Sequence, residues 1–360
     1  MRYLGAITPF FFVCLLGFGC QAERDLVLVS ADRVEPAELP EPMVGSTRGA
    51  ATDLLASLDA ERRERVLRPI ASPLRKDWHF VPRARQGLML GDMTAEQKRR
   101  VHRLMQTALS DAGYLKATDI IWLEAVLYEM SGENPLRDPG KYALLIFGDP
   151  SDESAAWGWR LEGHHLSINL TYTAEGLGVT PLFFGTNPAV VQQGPLAGKR
   201  VLADAHHLAI ALASSMDADQ RERMRIADKP RDVFTGPGRE RSLSADAPRL
   251  GIDLHLLDQS KIDLAQQLVR AHLFDNLELQ HRMIRARTIG TASAPDDHQL
   301  MFAWAGPIDA DEAFYYRIQS ADLVIEYSCQ NKNHVHAVVH DLTDPLQEDL
   351  LKKHFEAHEH

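Results

Sequence analysis

Closely spaced histidines near the C-terminus are the strongest chemical signal in this sequence. Residues 334–341 read His-Val-His-Ala-Val-Val-His-Asp. If this segment is a β-strand, its side chains alternate between two faces, so the three imidazoles share one face and small aliphatic side chains occupy the other. Residues two apart on a strand lie about 6.6 Å apart, and a metal–nitrogen bond is about 2.0–2.1 Å long. His334 and His336 can therefore hold one ion between them, provided that the fold supplies further ligands.

A second dense group of polar side chains lies in the segment 157–169, which reads Trp-Gly-Trp-Arg-Leu-Glu-Gly-His-His-Leu-Ser-Ile-Asn. The alternating pattern predicts one long strand over 157–172. On such a strand Glu162 and His164 face one way and His165 faces the other. At most one of the two histidines is then a ligand, unless a bulge rotates the pair. The simpler alternative is that both are hydrogen-bonded within a polar sheet.

Two histidine clusters, each with a nearby glutamate, favour one shared metal site. The predicted metal ligands are His164 or His165 together with His334 and His336. The candidate catalytic carboxylates, each as a ligand, a general base or a group that orients a ligand, are Glu162 and Glu326. Three imidazoles with an open position suit zinc and hydrolysis, and copper or iron fits the same donor types. The hypothesis requires the two clusters to converge on one point.

The composition indicates an ordinary globular protein. The chain has 360 residues, of which 45% are hydrophobic and 25% charged. The formal net charge of -11 argues against a general nucleic-acid-binding surface, which needs lysine and arginine to neutralise phosphates. Cys329 is the one cysteine beyond the first 20 residues, so it has no intrachain partner. It is interpreted as a small buried hydrophobe, with a soft metal ligand as the alternative.

The first 20 residues resemble a lipoprotein-type signal peptide. A short basic start precedes an apolar stretch rich in Phe and Leu, and Cys20 follows small residues. Lipidation of Cys20 would anchor an exported protein to the bacterial cell envelope, and plain secretion is the alternative. Residues 21–49, acidic and proline-bearing, are predicted to be a tether, and residues 50–360 one large domain. Membrane contact is expected only through the lipid anchor.

Helical and extended patterns alternate in blocks, which predicts an α+β fold with helices packed on a largely antiparallel sheet. Residues 142–147 are a predicted strand, and a four-strand meander is predicted at 299–306, 314–319, 323–327 and 334–339. Residues 181–188 are predicted to be a loop, and Gly113 to end a helix. Four residues that precede early acids or glutamines are predicted to cap helices: Asp59, Thr94, Asp217 and Asp258.

An ordered series of motifs runs from about Trp78 to the C-terminus. It includes Trp-His-Phe-Val-Pro at 78–82, Phe-Gly-Asp-Pro at 147–150, Glu-Gly-His-His-Leu-Ser at 162–167, Phe-Ala-Trp-Ala-Gly at 302–306 and Asn-His-Val-His at 333–336. This series resembles the DUF3500 family, whose function is uncharacterised. The resemblance implies no reaction. His340 stands where similar sequences have arginine, so it is not expected to be a ligand.

Three functions are compatible with these patterns. The leading hypothesis is an exported metal-dependent enzyme, a hydrolase by preference, acting on a small molecule or carbohydrate. The first alternative is an envelope protein that binds a metal or small ligand without catalysis. The second is a metal-free carbohydrate-active enzyme, whose ring-stacking side chains would be Trp157, Trp159, Trp304, Tyr315 and Tyr316. The C-terminal pair His354 and His358 shares a helix face, which is expected to be solvated.

Overall fold

The computed structural model describes residues 44–194, 196–243, 248–280 and 299–358. Its α-helices are α1 (Val44–Ala56), α2 (Ala60–Val66), α3 (Ala95–Gln106), α4 (Asp111–Met130), α5 (Ala203–Ser215), α6 (Ala218–Met224), α7 (Gln259–Leu273) and α8 (Glu348–His358). Its strands are β1 (Leu67–Arg68), β2 (Leu88–Met89), β3 (Ala143–Phe147), β4 (Trp157–Gly163), β5 (Leu166–Tyr172), β6 (Leu177–Gly178), β7 (Leu182–Thr186), β8 (Arg225–Ala227), β9 (Ile252–Asp253), β10 (Met301–Ala305), β11 (Phe314–Gln319), β12 (Leu323–Gln330) and β13 (His334–Asp341).

All of these strands belong to one open, mostly antiparallel sheet. The order along it is β1-β3-β4-β5-β7-β13-β12-β11-β10-β8, and the short strands β2, β6 and β9 pair with β3, β5 and β10. The predicted α+β class is therefore confirmed. The predicted C-terminal meander is also confirmed, because β10 to β13 pair in sequence as antiparallel neighbours.

The predicted helix caps are confirmed by hydrogen bonds. Each capping side chain accepts a bond from a free amide in the first turn of its helix, as expected for an N-cap. Two of them, Thr94 before α3 and Asp217 before α6, form complete capping boxes with the glutamine three residues later. The other two caps are Asp59 before α2 and Asp258 before α7.

Two sequence predictions about the middle of the chain are wrong. Residues 157–172 form a hairpin of β4 and β5 rather than one strand, because His164 and His165 make its two-residue turn. Residues 181–188 are not simply a loop, since 182–186 form β7, which lies between β5 and β13 in the sheet. Because prolines at both ends of this short segment are typical of turns, the sequence pattern did not indicate the fully buried strand between them.

The two faces of β13 have different neighbours, as the alternating pattern predicts. Val335, Ala337 and Val339 belong to the main hydrophobic core, which includes residues of α1, α3, α4, α5 and α7. The opposite face carries the histidines together with Val338. Val338 packs in a smaller cluster with Trp78, Phe80, Phe183 and Val233. The imidazoles therefore lie on a face covered by irregular segments rather than by the main helical layer.

Gly113 does not end a helix, which corrects the sequence prediction. It lies in the first turn of α4, where Ser110 Oγ accepts a hydrogen bond from its amide at 3.1 Å. A Cβ atom at this position would lie 2.0 Å from the backbone oxygen of Asp275. The glycine is thus required by the close approach of another segment, and the chain continues as helix through it.

We predict that Gly113→Ala destabilises the protein even though alanine is the better helix former. The added methyl group must push away backbone atoms of Asp275, which we expect to lower the free energy of unfolding by about 1–3 kcal/mol. Gly49→Ala in α1 is the matched control, because its Cβ would meet nothing within 4 Å. That variant should be neutral or more stable by up to about 1 kcal/mol. Chemical denaturation of both variants tests the prediction, and equal stabilities would contradict it.

The predicted signal peptide and most of the tether lie outside the described residues. Helix α1 already begins at Val44, a few residues before the predicted start of the domain. Within the described residues, no helix has both the length and the apolar character needed to span a bilayer.

Candidate metal centre

Three histidines from two separated parts of the chain meet at one end of the sheet. His165, His334 and His336 each place a ring nitrogen so that all three nitrogens lie within 4.8 Å of one another. His165 immediately precedes β5, and the other two begin β13. Because β7 pairs with both strands, it sets the spacing between them. The predicted convergence of the two histidine clusters is therefore present, and His165 is the member of the adjacent pair that joins it.

The β4–β5 turn brings both adjacent histidines to the same site. His165 has a φ of 62°, a left-handed conformation that is uncommon for a residue other than glycine. The His165 amide donates to Phe80 O at 2.9 Å, and the Gly185 amide donates to His165 O at 2.7 Å. Tyr142 donates its hydroxyl proton to His164 O at 2.6 Å. These bonds hold the turn so that the two imidazole centroids lie 3.6 Å apart.

Gly185 of β7 leaves the space that the His165 ring occupies. A Cβ atom there would lie 3.0 Å from His165 Cδ2 and 2.9 Å from Val335 O. In the sheet Gly185 pairs with His336, so a larger side chain at this position would displace the His165 ring from its place beside His336. Glycine at this position is therefore part of how the site is built.

Two of the three imidazoles, those of His165 and His334, are held in the neutral state that metal binding needs. Burial and the neighbouring histidines hold the pKa of His165 well below its ordinary value. The same two causes lower the pKa of His334 to about 4. Neutral rings have a free nitrogen lone pair at neutral pH. His165 Nε2 and His334 Nε2 lie 2.7 Å apart. Two ligand atoms of one tetrahedral ion are about 3.3 Å apart, so a small outward movement of the two rings would make room for an ion.

Asp232 orients His336. Its Oδ1 lies 2.8 Å from His336 Nδ1, so Nδ1–H donates to the carboxylate and leaves Nε2 free for a ligand role. A carboxylate on the far nitrogen of a histidine is the usual partner of a metal-bound imidazole. Burial acts to raise the pKa of Asp232, but the hydrogen bonds from His336, the Val233 amide and Gln330, together with the electrostatic attraction of His336, outweigh it, and the pKa lies below its ordinary value. Asp232 was not found from the sequence.

Glu326 fixes the loop that carries Asp232. It is fully buried, and its carboxylate accepts hydrogen bonds from the amides of Phe234 at 2.7 Å and Thr235 at 2.8 Å. It also accepts from the Tyr315 hydroxyl at 2.6 Å and from the Thr235 hydroxyl. Glu326 thus affects the metal centre indirectly, because its carboxylate holds in place the segment next to Asp232. Its proposed role as a direct ligand or base stays a prediction.

Glu162 is likewise engaged away from the three histidines. It accepts from the His79 amide at 2.7 Å and from Arg85 Nε at 2.9 Å, and it lies 3.3 Å from Arg160 Nε. Burial raises its pKa despite the two guanidinium groups. This network ties the β4 strand to the segment around His79. Both oxygens of the Glu162 carboxylate already accept hydrogen bonds. Its catalytic role stays a prediction.

Glu124 is the carboxylate that the sequence analysis missed. It lies on α4 and is buried, and its Oε1 is hydrogen-bonded to His164 Nδ1. Arg137 Nη1 lies 3.0 and 3.1 Å from the two ring nitrogens of His164. Burial lowers the pKa of His164 although Glu124 acts in the opposite direction. The available signal was an acid on the apolar face of α4, three and four residues after Ile121 and Ile120.

A cavity of about 330 Å³ lies beside this glutamate–histidine pair. Glu124 and His164 line it together with apolar side chains such as Met89 and Leu136. Arg85 and Lys141 add positive charge to the same wall. A space of this size and mixed lining suits a small molecule. Of the histidines at this end of the sheet, only His164 lines the cavity, and its ring contacts the ring of His165, a member of the three-histidine centre.

Other candidate residues lie elsewhere. Cys329 is buried in the main core, where burial raises the pKa of its thiol to about 11. His340 donates its Nε2 proton to Thr235 O at 2.7 Å and lies outside the three-histidine group. The five aromatic residues proposed to stack on carbohydrate are each at most 1% exposed: Trp157, Trp159, Trp304, Tyr315 and Tyr316. They form core and cannot contact a sugar ring in this conformation.

Comparison with known families decides the relationship suggested by the motifs. The model of a family described as a protein of unknown function (DUF3500) matches residues 42–345. The chain belongs to the DUF3500 family. The DUF3500 match contains the three-histidine centre, Glu124 and Asp232, and it ends before α8. No curated protein and no solved structure matches the chain.

We predict that Asp232→Asn weakens metal binding at the centre by about 10–100-fold, the usual cost of losing an outer partner of a ligand. The amide is neutral, so it no longer holds the Nδ1 proton of His336 as strongly. Asp228→Asn on the same loop is the matched control, since Asp228 pairs with the exposed Arg225. Titration of the metal-free proteins with Zn²⁺ measures both affinities. Equal affinities for wild type and Asp232→Asn would contradict the assigned role.

Proposed function

We propose that this DUF3500 protein is a metal-dependent enzyme, a hydrolase, acting on a small molecule. One observation carries the proposal: three histidine nitrogens lie within 4.8 Å of one another, and one of these histidines, His165, packs against the His164 ring of a buried glutamate–histidine pair that lines a cavity. A structural metal site would need no cavity and would be closed by a fourth protein ligand. Here the described residues contribute three imidazoles, which leaves a position for substrate or water.

His165, His334 and His336 are the proposed ligands, and Asp232 holds His336 in the required tautomer. Imidazole donors suit Zn²⁺, and they also suit copper and iron. A bound ion would supply Lewis acidity to polarise a substrate carbonyl or phosphoryl group. Zinc is preferred because hydrolysis needs no redox partner.

Glu124 is the proposed general base. It lines the cavity, and His164 holds one of its oxygens, so the carboxylate has a fixed direction. During hydrolysis it would accept the proton of the attacking water and return it to the leaving group. Arg137 contacts the His164 ring, so the ring that holds the carboxylate is itself held in place. Glu124 thereby takes the role that the sequence analysis gave to Glu162 or Glu326.

The cellular setting is proposed from the sequence alone. The N-terminal segment resembles a lipoprotein signal, so we propose export and anchoring at the cell envelope through Cys20. A non-catalytic envelope protein that binds a metal or small ligand is the second candidate, and the same three imidazoles support it.

Metal analysis combined with substrate screening tests the proposal. Tag-free protein should contain a stoichiometric ion, measured by elemental mass spectrometry, that the His334→Ala/His336→Ala variant lacks. Hydrolysis should be screened on ester, amide, phosphoester and glycoside panels, before and after the metal is removed and restored. Turnover that follows metal content supports the enzyme. Stoichiometric metal without turnover of any class favours the binding protein, and absence of metal after reconstitution with zinc, copper and iron contradicts both.

A further inference from the structure

A second group of metal-binding side chains lies far from the three-histidine centre. Glu175, His354 and His358 each place a ligand atom within 4.8 Å of the others. Glu175 follows β5, whereas His165 precedes it, and β5 has 7 residues. A strand of that length rises about 23 Å, so the two groups lie at opposite ends of it. The two groups of side chains therefore cannot bind the same ion.

The distances within this group match a single bound ion. Glu175 Oε2 lies 3.0 Å from His354 Nδ1, and Glu175 Oε1 lies 3.6 Å from His358 Nδ1. Two ligands of one tetrahedral ion are separated by about 3.3 Å, a value between these two. The imidazole centroids lie 4.5 Å apart, because the two histidines are one helical turn apart on α8. Little movement is needed for all three side chains to bind the same ion.

Burial differs among the three side chains in a way that suits reversible binding. The side chain of His354 is 5% exposed, that of Glu175 is 24% exposed, and that of His358 is 45% exposed. The buried histidine is held in place by packing, while the more exposed one allows an ion to enter from solvent. The imidazoles and the carboxylate come from different elements, α8 and the turn between β5 and β6. An ion bound to all three would join those elements.

We propose that Glu175, His354 and His358 form a second site for a divalent transition-metal ion, which fastens α8 to the β5–β6 turn. Two imidazoles and one carboxylate are donors for Zn²⁺, Ni²⁺ or Cu²⁺. To bind an ion through Nδ1, each histidine would carry its ring proton on Nε2, and His358 would give up the hydrogen bond that its Nδ1 donates to His354 O at 2.8 Å. Helix α8, with His354 and His358, lies beyond the region matched by the family model, whereas Glu175 lies within it.

The decisive experiment removes the first site and then tests the second. Zn²⁺ is titrated into metal-free, tag-free His334→Ala/His336→Ala protein, which should still bind one ion. Adding His358→Ala or Glu175→Gln to that background should weaken this binding at least 10-fold. His207→Ala is the matched control, since His207 is an exposed histidine of α5 outside the cluster. His360→Ala is a further control for binding by the chain end.

Hydrogen exchange gives an independent measurement of the effect on α8. Zn²⁺ should slow amide exchange over residues 348–358 in the His334→Ala/His336→Ala protein, and the slowing should disappear with His358→Ala. Because His358 is half-exposed, its replacement should leave the fold intact, which a melting curve verifies. If the His334→Ala/His336→Ala protein binds no ion, or binds one regardless of His358→Ala and Glu175→Gln, the second site is refuted. The first of these results leaves the proposal for the three-histidine centre unaffected.

Discussion

His334→Ala/His336→Ala protein is expected to lose the ion of the three-histidine centre while keeping its fold. Removing two of three imidazoles leaves one ligand, which should weaken binding by more than the roughly 100-fold effect of losing an outer partner. If hydrolytic turnover depends on that ion, it should fall to background in the same variant. Elemental mass spectrometry should find one ion fewer per chain than in wild type, and the substrate assay measures the loss of turnover.

The double variant needs a control for folding, because His336 is packed against aromatic rings. Its centroid lies 4.7 Å from that of Phe80 and 5.5 Å from that of Phe183. His334 is only half-buried, so His334→Ala alone should remove a ligand with little effect on packing. Circular dichroism and melting curves should show native secondary structure in both variants. Retention of stoichiometric metal at this centre by either folded variant would contradict the assignment.

The histidine face of β13 could be predicted from the sequence because the information is local. Side-chain alternation on a strand depends only on the backbone, and three histidines at alternate positions mark one face. That this segment would meet the 162–167 segment was inferred from donor types alone. The two segments meet because β7 pairs with both β5 and β13. The residues of β7 were predicted to be a loop. A five-residue strand between prolines has too little pattern to identify.

The left-handed turn at His165 and the position of Glu124 depend on tertiary structure. Alternation on a flat strand placed His164 and His165 on opposite faces. The structure instead turns the chain between them and holds the turn through Phe80, Tyr142 and Gly185. These bonds join segments distant in sequence, so no local pattern contains them. Glu124 looks like an isolated acid in an apolar helix face until α4 is placed beside that turn.

The second large effect is expected for Glu124→Gln, which should abolish most turnover without removing the metal. The amide has nearly the same shape and keeps an oxygen that can accept from His164 Nδ1. It cannot take a proton from water, and removal of a general base costs about 10²–10⁴-fold in rate. Turnover on the substrate found by screening should fall by that factor, with the metal content at the three-histidine centre unchanged.

Glu129→Gln is the matched control, since Glu129 lies on the same helix but is exposed. It should leave both turnover and metal content at wild-type values.

The metal content of Glu124→Gln also separates two roles for Glu124, because Glu124, His164 and His165 themselves lie close enough to share an ion. Loss of metal in Glu124→Gln would make the residue a ligand and contradict the general-base assignment. Arg137 Nη1, 3.0 and 3.1 Å from the two ring nitrogens of His164, opposes a second cation there. We therefore expect Glu124→Gln to lose hydrolytic turnover and to retain the metal ion of the three-histidine centre.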